Sequence, residues 1–256
     1  KSMNFINRCT DLNNSKKLLI LLLLSLILRF LSYYTHPFIH SESVTYLSIN
    51  HHDMMGDLQS GLDLYLSLPP AILYFMRIFS LIGVDVELGY RITGVLLYSF
   101  ALLSFFSICR HFISENASLF AAFCYVCHPK LIGYSHAVLR ETLAIPCMIF
   151  GLALFLKYFE NKKVTYIFLA GLLVSISYMS RMEYGVSLIC GIIGFCFLVI
   201  INKKLKPKRE YLLPCTYLVL SMMPLILLAY LHMRTYKSHW DPIAYQKIKW
   251  FLTGSL

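Results

Sequence analysis

The stretch PPAILYFMRIFSLIGV, residues 69–84, decides how this chain is arranged. It opens on Pro69-Pro70, is almost wholly apolar, and carries Arg77 at its middle. Either it crosses a membrane or it lies along one, and the side of every later segment follows from that choice. A helix needs roughly 20 residues to cross the hydrocarbon, so this one is short, and a mid-length arginine would sit at the most costly depth. The rest of the chain makes the membrane the relevant solvent. It is 58% hydrophobic and only 14% charged, where a soluble domain has about 25% charged residues. A chain of this kind satisfies its backbone by folding into spanning helices. We therefore expect an all-α, polytopic membrane helix bundle. The apolar runs predict seven transmembrane helices, at about 18–34, 91–109, 117–134, 143–159, 164–180, 185–201 and 211–232.

Charge decides residues 69–84. If they do not cross, then Lys1, Arg8, Lys16, Lys17, Arg110, Lys157, Lys162, Lys163, Lys203, Lys204, Lys206, Lys208 and Arg209 fall on one side. The positive-inside rule makes that side cytoplasmic and places the N-terminus there. If they cross, the basic run Lys203–Arg209 lands outside. Residues 69–84 are thus expected to form an interfacial helix within a long first outer loop, with Arg77 reaching headgroups. The other outer loops are short, 135–142 (SHAVLRET) and 181–184 (RMEY).

No polar stretch is long enough for a separate soluble domain. Residues 1–256 read as one transmembrane domain, expected to be a piece of a longer chain because it starts at Lys1 and stops in a polar stretch. The net charge of +10 sits mainly in short loops, where it reports orientation and contact with anionic headgroups rather than nucleic acid. The eight cysteines fall almost entirely in apolar runs, as free thiols used as small hydrophobes. Few Ala and Gly with many Ile, Lys, Asn and Phe suggest an AT-rich genome and a bacterial cytoplasmic membrane.

Against this background the carboxylates stand out. Glu42, Glu141 and Glu183 each lie at the end of a hydrophobic run, and the topology gathers all three on the outer side. Ionisable groups near lipid are costly and mark functional sites. Glu42 lies in His40-Ser41-Glu42-Ser43-Val44-Thr45-Tyr46-Leu47, with Tyr46 one helical turn on; it could accept a proton from a hydroxyl, or simply be a solvated glutamate beside helix-capping serines. Arg140 and Glu141 follow His136 where a span begins. Arginine presents a planar fork suited to phosphate, while an interfacial Arg–Glu pair at a helix start is an equal reading. Arg181-Met182-Glu183 closes another span and reads either as a site element or as a charged helix stop. Lys130 could add a phosphate contact, or snorkel.

Other signals point nowhere in particular. Cys124-Tyr125-Val126-Cys127-His128 matches the haem-attachment pattern but lies inside an expected span. His36, His40 and His51-His52-Asp53 have zinc-ligand residue types without a His-Glu-x-x-His pattern. No cofactor and no metal are therefore assigned. The sequence holds no phosphate-binding or dinucleotide glycine loop and no Gly-x-Ser-x-Gly.

Taken in order, the motifs resemble the membrane-embedded glycosyltransferases of the GT-C type. The resemblance is to the branch with dolichyl-phosphate-mannose–protein mannosyltransferase-like, aminoarabinose-transferase-like and RgtA/B/C/D-like enzymes, and it covers residues 18–201. The matching elements are Glu42 followed by Tyr46-Leu47, the helix led by Pro69-Pro70 and ending at Gly83, and a span led by Arg91. Pro129, Tyr134 through Glu141, and Arg181-Met182-Glu183-Tyr184-Gly185 complete the set, with Met182 where the family has proline. The resemblance implies inverting transfer of a sugar from a polyprenyl-phosphate donor. The acceptor hydroxyl would belong to a lipid, glycan or protein at the outer face, with Glu42 as catalytic base. Tyr46, Lys130, His136, Arg140, Glu141, Arg181 and Glu183 would line the substrate site. Two other classes stay open on residues alone: a transporter or flippase of lipid-linked intermediates, and a non-catalytic membrane assembly subunit.

Overall fold

The computed structural model describes residues 3–35, 70–181 and 209–235. These form eight helices and, among the described residues, no strand: α1 (Met3–Thr35), α2 (Pro70–Leu81), α3 (Val86–Phe112), α4 (Glu115–Cys127), α5 (Pro129–His136), α6 (Glu141–Asn161), α7 (Val164–Ser180) and α8 (Arg209–Thr235). Among the described residues, three segments are long and apolar enough to cross a membrane: Ser15–Thr35 of α1, α3 and α6, with mean hydropathies of 2.0, 2.0 and 1.8. The protein is an integral membrane protein. The expected span at 185–201 lies outside the described residues, as do Glu42, Tyr46 and Glu183.

The bundle is apolar outside and partly polar inside, as lipid as solvent requires. On α1, Leu19, Leu23, Ile27 and Leu31 recur every four residues and are exposed, a single face one turn apart. Ser25 and Arg29, on the opposite face, are fully buried. Ser25 Oγ meets Ser99 Oγ at 3.3 Å and Ser32 Oγ meets His136 Nε2 at 3.0 Å, so α1 is pinned to α3 and to the end of α5.

Local chemistry sets the boundaries of α2. Gly83 adopts a left-handed φ of 73°. Val84 N–H donates to Phe79 O at 3.0 Å and Gly83 N–H to Ser80 O at 3.2 Å, the paired bonds of a glycine-terminated helix end. Asp85 then caps α3, accepting from Leu88 N–H at 2.7 Å. The expected helix at 69–84 is therefore present as 12 residues, about 18 Å long and well short of a 30 Å crossing. Its Ile72 and Met76 are buried against Val86, Tyr90, Val138 and Leu143, while Arg77 is exposed.

One expectation is corrected. The continuous span expected at 117–134 is two helices, α4 of 13 residues and α5 of 8. They meet at His128, whose backbone is extended (φ −69°, ψ 115°). The cause is Pro129: its ring disfavours helical geometry in the preceding residue, and its missing N–H costs nothing as the first residue of α5. The break re-aims α5 toward α1 and α3.

Elsewhere, helices meet where side chains are small. A Cβ at Gly94 of α3 would come within 2.3 Å of Ser135 O and 2.4 Å of Thr142 Cγ2, so α3 touches both α5 and α6 through that glycine. Helices α7 and α8 run parallel: Ser175 Oγ, which donates to Gly171 O at 2.7 Å, lies 3.4 Å from Met222 O, and Gly171 backs onto Leu218 O. At the end of the bundle away from Thr35, α6 closes on Lys162 in left-handed geometry (φ 54°), and His111 Nε2 lies 3.1 Å from Glu160.

Candidate active site

The end of α1, the start of α3, the end of α5, the start of α6 and the end of α7 converge at one end of the bundle. At their centre is the connection Ala137–Arg140. Its Ala137, Val138 and Leu139 are buried, and buried backbone groups must find partners. They find them in neighbouring side chains. Tyr90 OH donates to Leu139 O at 2.8 Å, Tyr98 OH to Glu141 O at 2.9 Å, and Arg91 Nη1 to His136 O at 3.3 Å. Thr142 Oγ1 lies 2.7 Å from Ala137 O and 2.9 Å from Tyr134 O, its one proton serving either. A short loop whose carbonyls are held from α3 and α6 has little freedom, and it carries Arg140 and Glu141.

Glu141 is the first residue of α6, where a carboxylate favours the positive end of the helix dipole. Its residue is only 8% exposed. Oε1 forms an ion pair with Arg181, the extended residue that closes α7. Oε2 is buried and accepts no hydrogen bond among the described residues. Arg181 keeps 31% of its side chain exposed, so the pair is open from the arginine side. Arg140 is half-buried immediately before Glu141. The observed pair is thus one guanidinium on one carboxylate, with a second arginine next to it in the chain; guanidinium donors at such a helix end suit a phosphate.

A second node lies beside it. Arg91, 5% exposed at the side chain, pairs with Glu87 at 2.5 Å and sits 5.8 Å from the ring centre of Tyr33. His136 is buried, its Nε2 at Ser32 Oγ and its ring 6.5 Å from that of Tyr33.

The structure thus joins Glu141 to Arg181, sets Arg140 beside them in the chain, and places His136 at the foot of the same loop. It does not bring in Lys130. That residue is exposed at the second position of α5, about 9 Å along the axis from His136, and no hydrogen bond or ion pair ties it to the cluster among the described residues. Of the residues that hold the site, Arg91 heads a span already singled out in the sequence, while Ser32, Tyr33, Glu87, Tyr90, Tyr98 and Thr142 carry no motif. The available signal was helical spacing: Tyr90, Arg91 and Tyr98 share one side of an otherwise apolar span.

A family model described as dolichyl-phosphate-mannose-protein mannosyltransferase matches residues 67–230, well over half of the chain. The matched region includes α2 through most of α8 and the Glu141–Arg181 pair, and it begins after Glu42 and Tyr46. No curated protein matches the chain.

Proposed function

The chain belongs to the dolichyl-phosphate-mannose-protein mannosyltransferase family, and from that premise we propose that it transfers a sugar from a polyprenyl-phosphate donor to an acceptor hydroxyl, with inversion, at the outer face of the membrane. The observation that carries this reading is the Glu141–Arg181 pair beside Arg140 on a loop held by α3 and α6. In the proposed step, Glu42 takes the proton of the acceptor hydroxyl. The hydroxyl oxygen then forms a bond to the anomeric carbon as the bond to the phosphate oxygen breaks. The electron pair leaves with the phosphate, so no second acid is needed. Arg140 and Arg181 stabilise the charge that develops there, aided by their fixed position in a region of low dielectric. Glu141 and Glu183 orient the arginines, Tyr46 and His136 contribute to the substrate walls, and Lys130 acts only as an approach charge. The chemistry calls for no cofactor. A lipid or glycan hydroxyl, or one on a protein, would serve as acceptor.

The proposal includes the orientation read from Lys and Arg: N-terminus cytoplasmic, in a bacterial inner membrane, with α2 lying at the outer interface. The length of α2 and the exposure of Arg77 support that placement. The test is sugar transfer from a polyprenyl-phosphate donor by the purified chain in detergent, wild type against Glu42→Gln. Transfer by the wild type and its loss in the variant are expected. Movement of the lipid-linked sugar across vesicles without any transfer would replace this reading by a flippase.

A further inference from the structure

Arg29 is a full cation with no exposed surface in the middle of the bundle. Among the described residues it has no carboxylate partner. Its Nη1 donates to Ser25 Oγ at 2.6 Å, while Nε and Nη2 make no hydrogen bond among the described residues. What surrounds it is aromatic: its guanidinium carbon lies 5.8 Å from the ring centre of Tyr98 and 5.6 Å from that of Tyr125. A charge buried in this way is expensive, and a methionine or leucine would fill the space at lower cost. Stability therefore does not account for its presence.

Its neighbours do. Tyr125 OH donates to Tyr98 O at 3.0 Å, and Tyr98 OH donates to Glu141 O. The guanidinium thus rests on α3 and α4 through two rings, and one of those side chains holds the first residue of α6. One turn further along α1, Ser32 meets His136 and Tyr33 covers Arg91. A buried polar contact of defined geometry fixes helix register in a way that apolar packing does not.

We propose that Arg29 is a positioning residue: bracketed by Tyr98 and Tyr125, it locks the register of α1 against α3 and α4 and so sets both the Ser32–Tyr33 edge of the site and the seat of Glu141. This rests on the transferase reading above, and the experiment separates the two. Arg29→Met, Arg29→Lys and Tyr98→Phe are made in the full chain. Each is followed by melting temperature in detergent, by hydrogen exchange at the amides of Thr142, Leu143 and Ala144, which bond back to the loop carbonyls of Leu139 and Arg140, and by kcat and donor KM. Arg29→Met is expected to melt no lower than wild type, since it removes a buried charge, yet to exchange faster at the three amides and lose about 10- to 100-fold in kcat/KM through misplacement. Arg29→Lys, which returns the charge, is expected to recover part of that loss. Tyr98→Phe keeps the ring under Arg29 but releases Glu141 O. It should raise donor KM about 3- to 10-fold with normal melting, and it carries the test if Arg29→Met does not fold.

A lower melting temperature in Arg29→Met, with activity lost only in proportion to the folded fraction, would reduce Arg29 to packing and overturn the proposal. Unchanged exchange at the three amides in both Arg29→Met and Tyr98→Phe would do the same. Faster exchange in those variants when the wild type itself transfers no sugar would uphold the positioning role and reject the transferase.

Discussion

Removing Arg181 does two things at once, and their separation tests the site. On the proposed function, Arg181→Ala deletes one charge-assisted contact to the donor phosphate, worth about 1.5–3 kcal/mol. It also strands Glu141, whose side chain is 11% exposed and whose Oε2 already lacks a hydrogen-bond partner among the described residues. A stranded carboxylate roughly 8–12 Å from a phosphate repels it by about 1–2 kcal/mol at an effective dielectric near 20. Because Arg181 is partly exposed, the sum is taken near its lower end, about 3 kcal/mol, or roughly 150-fold in Kd. The double variant Arg181→Ala/Glu141→Ala loses the contact but not the balance of charge, so it should lose only about 2 kcal/mol, roughly 30-fold. The assay is equilibrium binding of a polyprenyl-phosphate sugar to protein in nanodiscs, with melting curves to confirm folding. The expected outcome is that the double variant binds more tightly than the single one. A double variant that binds within about 0.3 kcal/mol of Arg181→Ala would refute the claim that the stranded Glu141 carboxylate repels the donor.

Glu42→Gln should lose about 10²- to 10⁴-fold in turnover with donor binding intact, whereas the Asn variants of Asp53, Asp57 and Asp63 should stay near wild type; the reverse pattern in a transfer assay would move the base. Lys130→Ala should change donor Kd less than about twofold, since an exposed charge, unpaired among the described residues, contributes about 0–1 kcal/mol. Gly94→Ala should lower the melting temperature, at a cost of about 1–3 kcal/mol, because its Cβ would meet backbone at Ser135. Gly133→Ala, with open space around it, should be neutral or stabilising. In a cysteine-free background, Lys130→Cys should react with an impermeant maleimide in intact cells and Lys162→Cys only after permeabilisation; the opposite result would invert the topology and remove the site with it.

Much of this architecture was legible in the chain because the signals are local. A run of apolar residues implies a spanning helix wherever it occurs, since the cost of an unpaired amide in lipid is the same at each position. Pro69-Pro70 and Gly83 bounded the helix expected at 69–84, which forms as Pro70–Leu81, but the cap at Asp85 starts α3 at Val86, five residues before the expected 91. Arg181 ended α7 where a charge follows an apolar run. Glu141 was visible as a carboxylate at a helix start. The break at His128 was also local, announced by Pro129, but the apolar run around it outweighed that signal in the reading of 117–134 as one span. What the sequence could not contain was partnership. Glu141 meets Arg181 across 40 positions, and Tyr90 and Tyr98 hold carbonyls more than 40 positions away. Such contacts depend on the rotation and height of each helix, and a shift of one residue turns a side chain by about 100°. Close approach at Gly94 sets those rotations through packing, and the proposed bracketing of Arg29 by Tyr98 and Tyr125 adds a polar lock. Hydropathy records that a face is apolar or polar; only the assembled bundle decides which polar group it meets.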